Sequence, residues 1–195
     1  MRVIAGKYKN RMIESPPGLT TRPVLSRIRK SIMDILQPHL EGARVLDLFS
    51  GTGVFSIESL SRGAKFTLCI EADKKACAVI KKNQQKICPK DPFRLIHGDV
   101  LKSLPVLRHQ EEAFDVIGIT PPYSLGLEDK TLALLETCNP LIHDDTVIFV
   151  QHFHKEDIQT EWQNLEHVRT KKYGKTMVEF FMKKLDENRT SSEDQ

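Results

Sequence analysis

From Arg44 onward the chain alternates short β-branched and apolar runs with segments of helical period, a rhythm that leaves few folds open. "ARVLDLF" has the make-up of a strand, and "GVFSIESLSRG" that of a helix closed by Gly63. "KFTLCIE" is the next strand. Behind it comes "DKKACAVIKKNQQKI", whose apolar residues recur at helical spacing after Asp73, a candidate N-cap. "FRLIHGD", "FDVIGIT" and "DTVIFVQHF" are further strands, with helical "VLKSLPVL" and "LEDKTLALLETC" between them. Alternation of this kind implies an α/β fold, a parallel sheet with helices on both faces. The pattern changes at "EHVRTKKYGKTMVEFFMKK", where two strand-like runs meet at Tyr173-Gly174 and predict an antiparallel hairpin.

The first forty residues read differently. "RVIAGKYKNRMIE" suits a short hairpin around Lys9-Asn10, "SPPGLTTRP" is a turn-rich connector, and Pro23 fits the first position of a helix running to about Leu36. This stretch carries eight Lys/Arg against Glu14 and Asp34, an excess of six where the whole chain has only +3. Such a basic block suggests a polyanionic partner, with a solvated basic face as the alternative. The chain's 195 residues suffice for one domain with a small N-terminal extension over residues 1–40. Residues 185–195, almost devoid of apolar side chains, are expected to be disordered. No apolar stretch approaches the roughly 18 residues of a membrane span, so a cytoplasmic location and no membrane partner are expected. Cys69, Cys77, Cys88 and Cys138 lack CxxC pairing and metal-ligand spacing, which favours idle thiols and no metal site.

"DLFSGTG", Asp47 to Gly53, follows a strand and opens a helix. Gly51 and Gly53 allow a tight turn and close approach of a ligand. Glu71 ends the next strand, where a carboxylate can accept hydrogen bonds from ribose hydroxyls. A dinucleotide site would want a third glycine where Ser56 stands, with amides facing a pyrophosphate. Acidic Asp47 instead suits a neighbouring ammonium or sulfonium, so S-adenosylmethionine is the better fit and a nicotinamide oxidoreductase is disfavoured. Asp99, after the third strand, could hold an adenine amino group or simply cap a helix.

"GITPPYS" lies at the end of the strand expected beside the first. The stretch resembles the active-site motif of enzymes that methylate exocyclic amino groups. An aromatic amine is a poor nucleophile, because its lone pair is delocalised. The side chain before the prolines and the carbonyl of Pro121 could hold its N–H groups so that the lone pair faces a methyl carbon. Prolines keep these acceptors rigid, and Tyr123 offers a face for an unstacked base.

Taken together, "RVIAGKYKNRMI", "RPVLSRIRKSIMDIL", "VLDLFSGTGVFSIESLSRGA", "CIEADKKACAVIKKN", "FDVIGITPPY" and "YGKTMVEFF" resemble the RsmD family of bacterial methyltransferases over roughly residues 1–184. Those enzymes modify the N2 amino group of one guanine in 16S ribosomal RNA. The resemblance implies a Rossmann-like class I methyltransferase domain over residues 41–184, with a seven-stranded, mostly parallel sheet. It further implies that Asp47, Phe49, Ser50, Gly51, Thr52, Gly53, Glu71 and Asp99 hold S-adenosylmethionine, with S-adenosylhomocysteine as product. Thr120, Pro121, Pro122 and Tyr123 would hold the guanine. Arg2, Lys7, Arg11, Arg22, Arg27 and Arg29 would grip RNA of the small subunit or of its assembly intermediate, the protein acting as a monomer. Two positions depart from the family, which has Asp at Thr120 and an acidic residue at Ser26. Threonine keeps an oxygen acceptor but loses the charge, a loss of about 1–2 kcal/mol, or roughly tenfold in rate. Two alternatives stay open: methylation of another exocyclic amine, such as adenine N6 in DNA or RNA, and a non-catalytic RNA-binding assembly factor.

Overall fold

The computed structural model describes residues 1–15, 23–110 and 112–184. Arg22, most of the Pro-rich connector and the 185–195 tail lie outside the described residues. The central strand segments are too apolar to leave either face in water, and the structure covers both. β1 (Arg44–Leu48), β2 (Phe66–Glu71), β3 (Phe93–His97), β4 (Phe114–Ile119) and β5 (Ile142–Phe153) run parallel. β6 (Leu165–Tyr173) and β7 (Thr176–Lys183) form the expected hairpin, with β7 antiparallel to β5. The order is β3-β2-β1-β4-β5-β7-β6, so chain progression reverses between β1 and β4. Ligands in open α/β sheets gather beyond the carboxyl ends of the strands at such a reversal.

Period-two alternation sends neighbours on β1 to opposite layers. Val45 joins α1 (Pro23–Leu36) through Ile28, Met33 and Leu36, together with Phe55, Val116, Phe149 and Phe180. Leu46 and Leu48 pack instead with α4 (Val100–Leu107) and α5 (Leu127–Thr137) through Leu104, Leu132 and Leu135. Gly118 of β4 is required by this packing, since a Cβ there would lie 2.8 Å from the Phe149 ring and 3.0 Å from that of Phe55. α2 (Val54–Ser61) and α3 (Lys74–Ile87) complete the fold, the latter capped as expected by Asp73, which accepts from the Ala76 amide.

The N-terminal hairpin is shorter than a pair of strands: Val3 N donates to Arg11 O at 3.0 Å and Ile13 N to Met1 O at 2.8 Å. Among the described residues one antiparallel bridge forms here, Arg2 with Met12, and turns lie between. Their polar groups are taken by α2: the Lys7 amide donates to Ser61 O at 2.8 Å, Tyr8 N to Ser61 Oγ at 2.9 Å, and Ile4 N to the Glu58 carboxylate at 2.7 Å. Val3 and Ile13 are buried against Ile57, Leu60 and Ile87. Residues 1–15 and α1 thus share their cores with the sheet and its helices.

Candidate active site

β1 ends in a backbone that few residues adopt. Phe49 has φ of +63°, and Gly51 and Gly53 have +57° and +72°. A phenylalanine in the left-handed region is held there against its own preference, and such strain concentrates at ligand sites. The turn is pinned from beneath: Ser50 Oγ donates to the carbonyls of Asp47 at 2.7 Å and of Ile70 at 3.2 Å. From α3, the buried Asn83 amide donates to Thr52 O at 3.1 Å.

The two carboxylates singled out in the sequence flank this turn in different ways. Glu71 accepts from the amides of Gly51 at 2.7 Å and Asp73 at 2.8 Å. The Gly51 amide, which a dinucleotide fold would direct at a phosphate, therefore already faces an anion. A pyrophosphate would meet a carboxylate, whereas ribose hydroxyls can donate to its remaining lone pairs. The cradle fits S-adenosylmethionine and not a phosphate-bearing cofactor.

Asp47 is buried and turned toward α2, accepting from Ser56 N at 3.2 Å and Ser56 Oγ at 2.8 Å. Asp47 nevertheless lines the cavity between this turn and α1, so its bonds to Ser56 do not remove it from the ligand site. It holds the start of α2 against β1, and Ser56 is a structural partner rather than a failed third glycine. Burial, helped by the nearby Glu71 charge and opposed by the Ser56 bonds, pushes its carboxyl up to about 7. Between its ordinary value near 3.8 and about 7 the folded state binds the extra proton, so this contribution to stability falls as pH rises. Asp47→Asn is expected to flatten the decline in unfolding free energy between about pH 4 and 7, about 1.4 kcal/mol for each pH unit of separation removed. Denaturant titrations of both proteins across that range check this, and identical slopes would contradict it.

Asp99 caps α4, accepting from the Lys102 amide at 3.1 Å, and its exposed side chain lies beyond the end of β3. Thr120 follows β4, directly beside the turn. Its hydroxyl hydrogen points at the carbonyls of Leu48 (3.5 Å) and Phe49 (3.4 Å), long contacts that leave the oxygen lone pairs unused. Pro121 is buried and Pro122 exposed. Tyr123, 39% exposed, has its ring beside Phe153 with centroids 5.9 Å apart.

A cavity of about 280 Å³ has Asp47, Phe49, Ser50, Gly51, Thr52 and Thr120 on one side and α1 on the other, while Gly53, Glu71, Asp99, Pro121, Pro122 and Tyr123 are not among its lining residues. α1 contributes Ser26, Arg29, Ile32 and Met33, and Met1 closes a wall. Two residues important to this site were not singled out in the sequence. Gln151, two positions before the end of β5, lines the cavity and donates to the Tyr123 hydroxyl at 3.2 Å. Glu156 accepts from the amides of Ser124 and Phe153 and ties the loop after Tyr123 to the end of β5. The polar residue closing the apolar run "DTVIFVQ" was the available signal for Gln151; Glu156 left none.

A family model described as "Conserved hypothetical protein 95" matches residues 1–182. YlbH of Bacillus subtilis (strain 168) is 30% identical over 94% of this chain and its own full length. Ribosomal RNA small subunit methyltransferase D of Buchnera aphidicola (subsp. Acyrthosiphon pisum) is 32% identical over 80% of each chain. The chain belongs to the RsmD methyltransferase family. Among solved structures, yhhF from Escherichia coli superimposes with a TM-score of 0.83 at 26% identity, over 95% of this chain and 99% of that one. The Thermus thermophilus protein TTHA0928 gives 0.76 at 22% identity, over 92% and 98%.

Against the RsmD expectation of an N-terminal RNA grip, most of the basic residues named for it are engaged within the protein. Lys7 pairs with Asp91 at 3.0 Å, Arg11 donates to Lys86 O at 2.6 Å, and Arg2 donates to Asn10 O at 3.2 Å. Arg29 is turned inward to Glu58 at 3.4 Å. Of the described members of the set, Arg27 alone is exposed with neither a hydrogen-bond nor an ion-pair partner among the described residues, while Arg2 and Arg11 are exposed and bond backbone carbonyls.

Proposed function

We propose that this protein transfers a methyl group from S-adenosylmethionine to the exocyclic N2 of a guanine in 16S rRNA of the small ribosomal subunit. The observation that carries the reading is Thr120 placed beside the Phe49–Thr52 turn in a chain of the RsmD family, with Tyr123 bonded to Gln151 of the cavity wall. The relative from Buchnera is named for methylating small-subunit rRNA. Guanine N2 is our own assignment, from the acceptor arrangement and the resemblance in the terminal segments.

Bound S-adenosylmethionine supplies an electrophilic methyl group on a sulfonium. Glu71 would hold its ribose, the backbone of Phe49 to Gly53 would cradle it, and Asp99 stands at the adenine end. Thr120 Oγ1 and the Pro121 carbonyl accept from the guanine amino group and turn its lone pair toward the methyl. Tyr123 supports the ring. No carboxylate base is needed, because the methylated amine loses its proton to water after transfer.

Glu71→Ala is expected to weaken donor binding by about 1–3 kcal/mol, since the ribose bonds disappear and the Gly51 amide loses its acceptor. Calorimetry reads this directly. The function itself is tested by labelled methyl transfer to small subunits lacking the modification, with mass mapping of the product nucleotide. Label on N2 of one guanine supports the proposal. Label on adenine N6 would assign the other exocyclic amine, and donor and RNA binding without transfer would point to an assembly factor.

A further inference from the structure

We propose that the phosphate backbone of the substrate RNA lies in the groove between α1 and the edge strand β6, which would be the principal RNA grip in place of the N-terminal turns. This deepens the rRNA reading above and rests on it. Arg27, Lys30, Ser31, Asp34, Ile35 and Arg169 line the groove. The cations come from elements more than a hundred residues apart in sequence, brought together because Tyr173 of β6 reaches Ser31 of α1, hydroxyl to hydroxyl at 2.5 Å. Asp34, the acid in the groove, is already matched by Lys30 at 2.5 Å and Arg62 at 3.3 Å.

β6 adds more positive charge to the same face. Arg169 pairs with Phe180 and Lys171 with Val178 in the β6–β7 ladder. Phe180 and Val178 belong to the cluster under α1, so both cations leave the strand on the α1 side. Arg27, Arg169 and Lys171 are exposed and have no ion-pair partner among the described residues. Lysines on an edge strand can serve only to block pairing with another sheet. That role does not require Arg169 and Lys171 to converge with Arg27 on one side. The groove also lies where a substrate strand must pass: Ser26 and Arg29 of α1 line the active-site cavity, while their neighbours Arg27 and Lys30 line the groove. One helix, roughly 10 Å across, separates the two. A flipped guanine could enter the cavity while adjoining phosphates lie along the groove.

The test compares two double variants with the same change of charge, Arg169→Glu with Lys171→Glu on β6 and Lys81→Glu with Lys90→Glu at α3 and the turn beyond it. Binding to unmodified small subunits is measured from 50 to 300 mM salt. The β6 pair is expected to lose about 1.4 to 1.8 from the slope of log affinity against log salt, and affinity at 0.1 M on the order of tenfold or more. Donor affinity should hold. Arg169→Gln with Lys171→Gln, which adds no new charge, should show the same loss of slope at an unchanged melting temperature, which excludes misfolding as the cause. An unchanged slope in an enzyme that methylates normally would overturn the groove and leave the function standing. An equal loss in the α3 pair would also overturn it, by showing that net charge alone matters. A wild type that neither binds nor methylates small subunits would overturn the groove and the rRNA reading together.

Discussion

Tyr123→Ala is expected to lower single-turnover methyl transfer by about 1–3 kcal/mol, roughly ten- to a hundredfold, by removing the surface on which the flipped base stacks. The ring is set for that role. Gln151 holds its hydroxyl, Phe153 backs it, and 39% of the residue remains exposed. Tyr123→Phe keeps the face and loses the Gln151 bond and a long contact to Thr176 at 3.4 Å, so it should stay within about threefold of wild type, as expected for weak, partly exposed hydrogen bonds. Thr120→Val removes the oxygen acceptor at nearly constant volume and should slow transfer about tenfold or more, though less than Tyr123→Ala. The long contacts from Thr120 Oγ1 to the Leu48 and Phe49 carbonyls are the basis for this, because they orient the hydroxyl hydrogen inward and leave the lone pairs for the substrate. Thr120→Asp restores the family's usual residue and should equal or exceed wild type. Donor affinity measured in parallel should be little changed in all four. If Thr120→Val transferred at the wild-type rate, the acceptor role would be refuted. If wild type were silent and Thr120→Asp active, the site would be a decayed one.

How far the sequence carried this reading depended on the range of each interaction. Strands β1 to β5 announce themselves through local apolar runs, and the turn at Gly51 and Gly53 through residues whose positive φ few others tolerate. The α1 start at Pro23 and the Asp73 cap are equally local. The partners of the N-terminal segment are distant in sequence and therefore invisible in it. Lys7 meets Asp91 across 84 positions and Ile4 meets Glu58 across 54, so counting charge in a window cannot tell a staple from a free face. Asp47 lines the cavity as its place at the end of β1 suggests, and it also bonds Ser56, which the sequence does not reveal. Its position on β1 fixes the layer it faces, but only the packing of α2 shows that Ser56 takes its oxygen. The groove between α1 and β6 was out of reach altogether, since its cations converge only once β7 and β6 have been added to the far side of β5.

The buried Arg29–Glu58 contact is where stability and the site meet. Glu58 is fully buried on α2 and accepts from the Ile4 amide at 2.7 Å, with Arg29 at 3.4 Å and Arg62 at 3.9 Å. Burial raises the Glu58 carboxyl and lowers the Arg29 guanidinium, so each charge is costly where it lies and relies on the other. Arg62 has a second carboxylate in Asp34 at 3.3 Å, whereas among the described residues Arg29 otherwise donates only to the Arg2 carbonyl and the Met1 sulfur. Glu58→Ala should therefore destabilise the fold by about 3–5 kcal/mol, because it leaves the Arg29 charge without its counterion. Glu58→Gln keeps an acceptor for Ile4 and should fall between wild type and alanine. Replacing Glu58 and Arg29 together by methionine should recover much of the loss, since a buried ion pair exchanged for apolar contacts is often neutral. The consequence reaches the site, because Arg29 and Met1 both line its cavity. In Glu58→Ala the N-terminal turns lose one of their anchors on α2, the Ile4 bond, so protease cleavage within residues 1–15 should accelerate and donor affinity should drop, even below the melting temperature. Denaturant unfolding of the three variants, with proteolysis mapped by mass, checks the argument. A Glu58→Ala cost under about 1 kcal/mol would place the pair among contacts that contribute little, like exposed ion pairs.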